Sequence, residues 1–193
     1  SSCIYPLDAT NPIQEDSLLT GKLEPTNSPY ALAKITAIEI GKSLKQQHGH
    51  SVLNLMPTNL YGPGDNYSEK DSHVIPGLIF RMHNTKINNH PKFSIWGSGK
   101  PLREFLYVDD LANAVEFLIG KNSNEELLNV GSGEEISITN LSELVKEIIG
   151  YTGELVSDKS MPDGNPRKLI DSSKIMKMGW KPKVNLKEGI HLS

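Results

Sequence analysis

Five short stretches of this chain carry residue types able to do chemistry. The first is Tyr30-Ala31-Leu32-Ala33-Lys34. On a helix, residues four apart lie on one face, one turn from each other. A phenol beside an ammonium is easier to ionise than a free phenol, so this pair can shuttle a proton. A bare match of this kind is more often an ordinary helix face. The second is Ser1-Ser2-Cys3. Read as the end of a strand entering a turn, it aims Ser1 and Cys3 the same way. The hydroxyl could then bond a carbonyl and the thiolate abstract a proton, although a lone Cys is commonly a small buried hydrophobe.

The third stretch, Pro57-Thr58-Asn59-Leu60-Tyr61-Gly62-Pro63-Gly64, follows an apolar run directly. That is the side on which α/β sheets bind ligands. The fourth is His73, at an expected helix start. The fifth joins Trp96 to Arg103 across Gly97-Ser98-Gly99. An indole can stack on a base, and a guanidinium can fork onto phosphate. Neither Gly97-Ser98-Gly99 nor Gly131-Ser132-Gly133 is a dinucleotide fingerprint, because Leu102 and Ile136 stand where the third Gly belongs. No cluster has metal-ligand spacing, and no Ser lies in a G-x-S-x-G elbow.

The elements expected to position these residues alternate between strand and helix. Asp8 to Asn27 reads as a loop with one short helical turn at most. Ser28 suits an N-cap before Pro29, and Ala33, Ala37, Ile40 and Leu44 mark the apolar face of a helix ending near residue 48. Val52 to Met56 is an expected buried strand and Pro57 to Asp65 a loop. Helices are expected over Val74 to His83, from Val108 with Asp109 or its neighbour as cap, after a Ser137 or Thr139 cap, and over Asp171 to Met178. Strands are expected at Phe93 to Trp96, Glu104 to Tyr107, Leu127 to Val130 and Leu155-Val156. This order predicts an α/β fold with a mostly parallel sheet.

The 193 residues fit one domain or one and a half. The net charge of −3 argues against a general nucleic-acid or anionic-membrane binder. No apolar run is long enough to span a bilayer, and no signal-peptide pattern opens the chain. With Cys3 the single cysteine, no internal disulfide can form, and a reducing, cytoplasmic setting is the default.

In order along the chain, Ser1-Ser2-Cys3-Ile4-Tyr5-Pro6, Pro29-Tyr30-Ala31 with Lys34, Met56 to Pro63 with Asp65-Asn66, Ser72-His73-Val74-Ile75-Pro76, Trp96-Gly97-Ser98-Gly99 and Arg103-Glu104-Phe105-Leu106 with Val108-Asp109-Asp110 form a set. This set resembles the extended short-chain dehydrogenase/reductases, and among them the GDP-L-fucose synthase family. The resemblance implies a Rossmann-like parallel sheet with a smaller α/β substrate-binding part. Residues 1–62 and 104–135 would belong to the cofactor domain, and 63–103 and 136–193 to the substrate part. The implied activity is the NADP(H)-dependent conversion of GDP-4-keto-6-deoxy-D-mannose to GDP-L-fucose by 3,5-epimerisation and 4-keto reduction, in a homodimer.

The resemblance also assigns roles. Tyr30 would donate the proton in ketone reduction, with Lys34 activating it and holding the nicotinamide ribose. Ser1 would position the 4-keto oxygen, Cys3 would be the base and His73 the acid of epimerisation. Ser2, Pro57, Thr58, Asn59, Leu60 and His73 would border the cofactor. Arg81, Trp96, Arg103 and Asp163 would hold the GDP-sugar. The family's Gly-rich turn is absent from this sequence, so a fragment beginning mid-domain, weak in binding NADPH by itself, is expected. Another nucleotide-sugar epimerase or dehydratase, or a non-catalytic relative, is the alternative.

Overall fold

The computed structural model describes residues 1–69, 71–121 and 123–193. The opening segment departs from expectation. Ser2–Ile4 forms a 3₁₀ turn, not the end of a strand. Local bonds close it: Ile4 N–H donates to Ser1 O and Tyr5 N–H to Ser2 O. Ser1 Oγ accepts from the Cys3 N–H at 3.4 Å, a local side-chain bond that competes with extended structure. Ser2 and Ile4 are buried, while Ser1 and Cys3 remain partly open to solvent. The 3₁₀ turn Glu15–Ser17 is the one short turn expected in the following loop.

Helix α1 spans Ser28–His48 and ends on Gly49 in the left-handed region at φ 67°. Its N-cap is Asn27 and not Ser28. The Asn27 amide is occupied by Glu24, whose carboxylate accepts both its N–H and its Nδ2 at 2.9 Å. The buried face is also a different one. Ala31, Ile35, Ile38 and Gly41 turn inward, whereas Ala33 and Ala37 are exposed and Ile40 and Leu44 are 56% and 37% exposed. The helix carries two apolar stripes, and Gly41 decides between them. A Cβ there would stand 2.9 Å from Val52 Cγ1, so only the glycine face lets the segment ahead of the first strand approach so closely.

Strand β1 is Asn54–Pro57, β3 Lys92–Trp96, β4 Leu102–Tyr107, β5 Leu127–Val130 and β7 Glu154–Asp158. Three short strands lie where none was expected: β2 at Asn59–Tyr61, β6 at Glu135–Ser137 and β8 at Arg167–Lys168. Each pairs with β4, which supplies the partner that their few residues cannot specify. Helix α2 runs over Val74–Ile87, longer than expected, and α3 over Val108–Leu118. The α3 N-cap is Tyr107, not Asp109. The buried Asp110 instead accepts from the Lys183 and Val184 N–H groups at 2.9 and 3.0 Å. Helix α4, Ile138–Ile149, is capped by Ser137 Oγ, which accepts from the Asn140 N–H at 3.1 Å. Helices α5 (Ser173–Lys177) and α6 (Leu186–Leu192) close the described chain.

The pairing is parallel between β1 and β5, β2 and β4, β3 and β7, and β4 and β8, and antiparallel only between β4 and β6 among the described residues. The fold is therefore the expected α/β arrangement of mostly parallel strands. One core cluster packs Ile4 and Tyr5 with Ile35, Ile38 and Met56. A second joins Leu106, Leu128, Val130, Ile175 and Trp180. The third gathers Ile75, Leu78 and Met82 from α2 with Phe93, Ile95, Phe105, Leu141 and Val145.

Candidate active site

Two groups of the expected residues are gathered by the fold, and one segment runs between them. The first group sits where the opening 3₁₀ turn packs on α1. Tyr30 and Lys34 lie one helical turn apart in the first turns of α1, with the Lys34 ammonium 5.3 Å from the Tyr30 ring centroid. Both are exposed, and neither side chain hydrogen-bonds to protein among the described residues. A phenol and an ammonium left free beside the Ser1–Cys3 turn are the donors that a hydroxylated ribose or a carbonyl oxygen would take. The residues present thus fit the ribose-nicotinamide end of a dinucleotide.

The second group lines a cavity of about 190 Å³ bounded by α2, β3, β4 and the loop after β7. His73, Arg81, Trp96, Arg103 and Asp163 meet there, although they are scattered over some ninety residues of sequence. The Arg81 guanidinium lies 4.2 Å from the Trp96 ring centroid and 5.2 Å from that of Phe93. Its Nη1 donates to Ser94 O at 3.3 Å. Arg81 thus braces one face of Trp96, and with Trp96 46% exposed the indole still offers surface to a base. Burial lowers the Arg81 and Arg103 guanidinium values, but from a start of about 12.5 both stay cationic. Two fixed cations beside an indole suit a nucleotide's phosphates and base.

Asp163 is held by the Gly97-Ser98-Gly99 turn, which binds a carboxylate here although it is no dinucleotide fingerprint. The Ser98 N–H donates to its Oδ1 at 2.5 Å, and this bond keeps its carboxyl below the usual range. Gly97 is needed for the approach, since its φ is 75° and a Cβ there would strike the Asp163 carboxylate. His73 lies at the mouth of the cavity, with its side chain 82% exposed and Nδ1 3.6 Å from Asp65 Oδ1. Asp65-Asn66 belongs to the motif set that carries the resemblance, but the sequence gives Asp65 no role beside His73.

The linking segment is Pro57 to Leu60. Met56, just before it, packs with Ile4 and Tyr5 behind the 3₁₀ turn. Leu60, at its far end, lines a second concavity of about 250 Å³ together with Asp65 and His73. Its middle is fixed on β4: Thr58 Oγ1 and Asn59 Nδ2 both donate to Glu104 O, at 3.3 and 2.8 Å. Thr58 is buried and Asn59 exposed. Ser2 is buried beneath the turn.

A model of the NAD dependent epimerase/dehydratase family matches residues 1–131. The chain belongs to that family. The rice (Oryza sativa subsp. japonica) protein named "Probable GDP-L-fucose synthase 1" is 58% identical over 190 residues, which are 98% of this chain and 58% of that protein. The Escherichia coli K12 protein named GDP-L-fucose synthase is 44% identical over 199 residues, covering 98% of this chain and 62% of the relative. Among solved structures, a GDP-L-fucose synthetase from Naegleria fowleri bound to NADP superimposes with a TM-score of 0.90 at 30% identity, over 98% of this chain and 61% of that one. The chain therefore spans about three fifths of the length of these relatives. Among the described residues no helix is long and apolar enough to cross a membrane.

Proposed function

We propose that this chain is the catalytic and substrate-binding part of a GDP-L-fucose synthase, an NADP(H)-dependent oxidoreductase and isomerase acting on GDP-4-keto-6-deoxy-D-mannose. The observation that carries this reading is the convergence of Arg81, Trp96, Arg103 and Asp163 on one cavity with His73 at its mouth. The identity of 58% to a protein named as such a synthase supports it. Residues 1–62 and 104–135 are proposed as the cofactor side and 63–103 and 136–193 as the substrate side. Packing of Ile4, Met56 and Leu127 in one cluster and of Ile75, Phe93 and Leu141 in another supports that division, with Tyr61, Phe105 and Tyr107 crossing it one way and Ile170, Ile175 and Trp180 the other.

The chemistry follows from the residue types. A 4-keto group acidifies the C–H bonds at C3 and C5. Cys3 removes a proton there, and His73 returns one from the other face. Ser1 and Tyr30 hydroxyls donate to the ketone oxygen and stabilise the negative charge that builds on it. NADP(H), held by Tyr30, Lys34, Ser2 and the Pro57–Leu60 segment, supplies the hydride for C4 when bound. Tyr30 gives its phenolic proton to the same oxygen. One set of donors serves both steps because both place charge on one atom. Arg81, Arg103, Trp96 and Asp163 hold the GDP portion away from the reacting carbons.

A cytoplasmic homodimer is part of the proposal, with the outward apolar stripe of α1 supporting a second copy as its cover. The test is solvent deuterium exchange at C3 and C5 of the 4-keto sugar, measured on the complete protein. Cys3→Ser is expected to abolish exchange while GDP still binds. Exchange at the normal rate in Cys3→Ser would remove the thiol from the mechanism.

A further inference from the structure

The opening 3₁₀ turn is too short to hold itself in place, so something else must fix Ser1 and Cys3 relative to Tyr30. The answer lies behind it. Tyr5 follows the turn directly, is 2% exposed, and its hydroxyl donates to Asn129 Oδ1 at 2.6 Å. Asn129 is itself fully buried on β5, opposite Met56 of β1. Its Nδ2 donates to Ile13 O and Asp171 O at 2.9 and 3.2 Å, and its N–H donates to Glu15 Oε1 at 3.0 Å. The Glu15 carboxylate is 7% exposed and pairs with Lys174 at 3.4 Å. Ile13 N–H donates to Leu169 O, and Asp171 N–H to Ile13 O, both at 2.8 Å. Both Asn129 amide hydrogens and one side-chain oxygen lone pair are therefore used.

We propose that Tyr5 and Asn129 are positioning residues, which lock the Ser1–Cys3 turn onto the end of the parallel strand pair and so set the thiol's place against α1. This rests on reading that turn as the reactive one. A buried and satisfied network is directional where the apolar packing around Ile4 is not. Apolar contact alone would let the turn slide along β1. The hydroxyl bond to β5, one strand further in, fixes its depth.

Alkylation of Cys3 in the complete protein, followed on the Cys3-containing peptide by mass spectrometry, reports the turn alone. Second-order rates with iodoacetamide are compared in the native protein, Tyr5→Phe and Ile190→Val. The first variant removes one hydroxyl at nearly constant volume. The second removes one methylene from α6, in the separate cluster around Phe105 and Leu141, and controls for general loss of stability. We expect about a threefold or larger change in Tyr5→Phe, the scale of losing one buried hydrogen bond, and none in Ile190→Val. Equal rates in Tyr5→Phe and the native protein, or equal changes in both variants, would overturn the positioning role. If Tyr5→Phe does not fold, amide exchange in the native protein decides. The Ile4 and Tyr5 amides should then be as protected as that of Asn129, and exchange at free-turn rates would overturn the proposal. Neither readout involves turnover, so its failure is separate from failure of the proposed reaction.

Discussion

At the residue scale, the proposed substrate side is the more sharply defined. Trp96 is braced by Arg81 on one face and remains half open. Stacking on an aromatic face is worth about 1–3 kcal/mol per base. Trp96→Ala should therefore weaken GDP binding about tenfold or more in a calorimetric titration, with little change in Tm. Undiminished affinity would show that the base lies elsewhere. The proposed catalytic side depends on smaller groups. Tyr30 and Lys34 are legible as a pair from spacing alone, but that neither side chain hydrogen-bonds to protein among the described residues is a property of the fold. His73 gains meaning only beside Asp65.

At the scale of elements, β4 ties the site together. Arg103 lines the cavity beside Trp96, while the next residue, Glu104, is fully buried. The Glu104 carboxylate accepts from the Gly133 and Ile170 N–H groups at 2.8 and 3.2 Å, and its carbonyl anchors Thr58 and Asn59. Gly131 is required there, since a Cβ would collide with that carboxylate. Burial raises the Glu104 carboxyl value, outweighing the hydrogen bonds that favour its charge. A carboxyl raised on folding holds its proton more tightly in the folded state. Its contribution to stability is therefore complete below the unfolded value of about 4.3 and is lost as pH rises through the folded value. Glu104→Gln should flatten that part of the Tm–pH curve. Parallel curves for the two proteins would assign the pH dependence to other groups.

At the scale of the whole molecule, α1 decides how the chain meets its surroundings. Its inner stripe joins the core around Met56, and its outer stripe leaves Leu32, Ile40 and Leu44 exposed. A helix apolar on two sides is normally covered on both. In the proposed homodimer, Ile40→Glu should convert a dimer to a monomer by sedimentation, because the charge would have to be buried unpaired. An unchanged sedimentation coefficient would exclude this stripe as the interface. The three core clusters also explain why the two groups of site residues are separate yet linked. They rest on different clusters, joined by the Pro57–Leu60 segment.

The sequence by itself determined the α/β class, the main strands and helices, and the ordered motifs from Ser1 to Asp110. Those are local signals: periodicity, turn residues and spacing are read within a few residues of each other. What tertiary structure decided is non-local. The inward face of α1 depends on Gly41 meeting Val52, and the strands at 59–61, 135–137 and 167–168 exist because β4 offers them partners. The Ser1–Cys3 segment is a 3₁₀ turn because its hydrogen bonds close locally and Tyr5 anchors it to Asn129, 124 residues away. Asp163 reaches Ser98 across 65 residues. A hydrogen bond or a packed face between distant residues leaves no mark on spacing along the chain, and the site is made of such contacts.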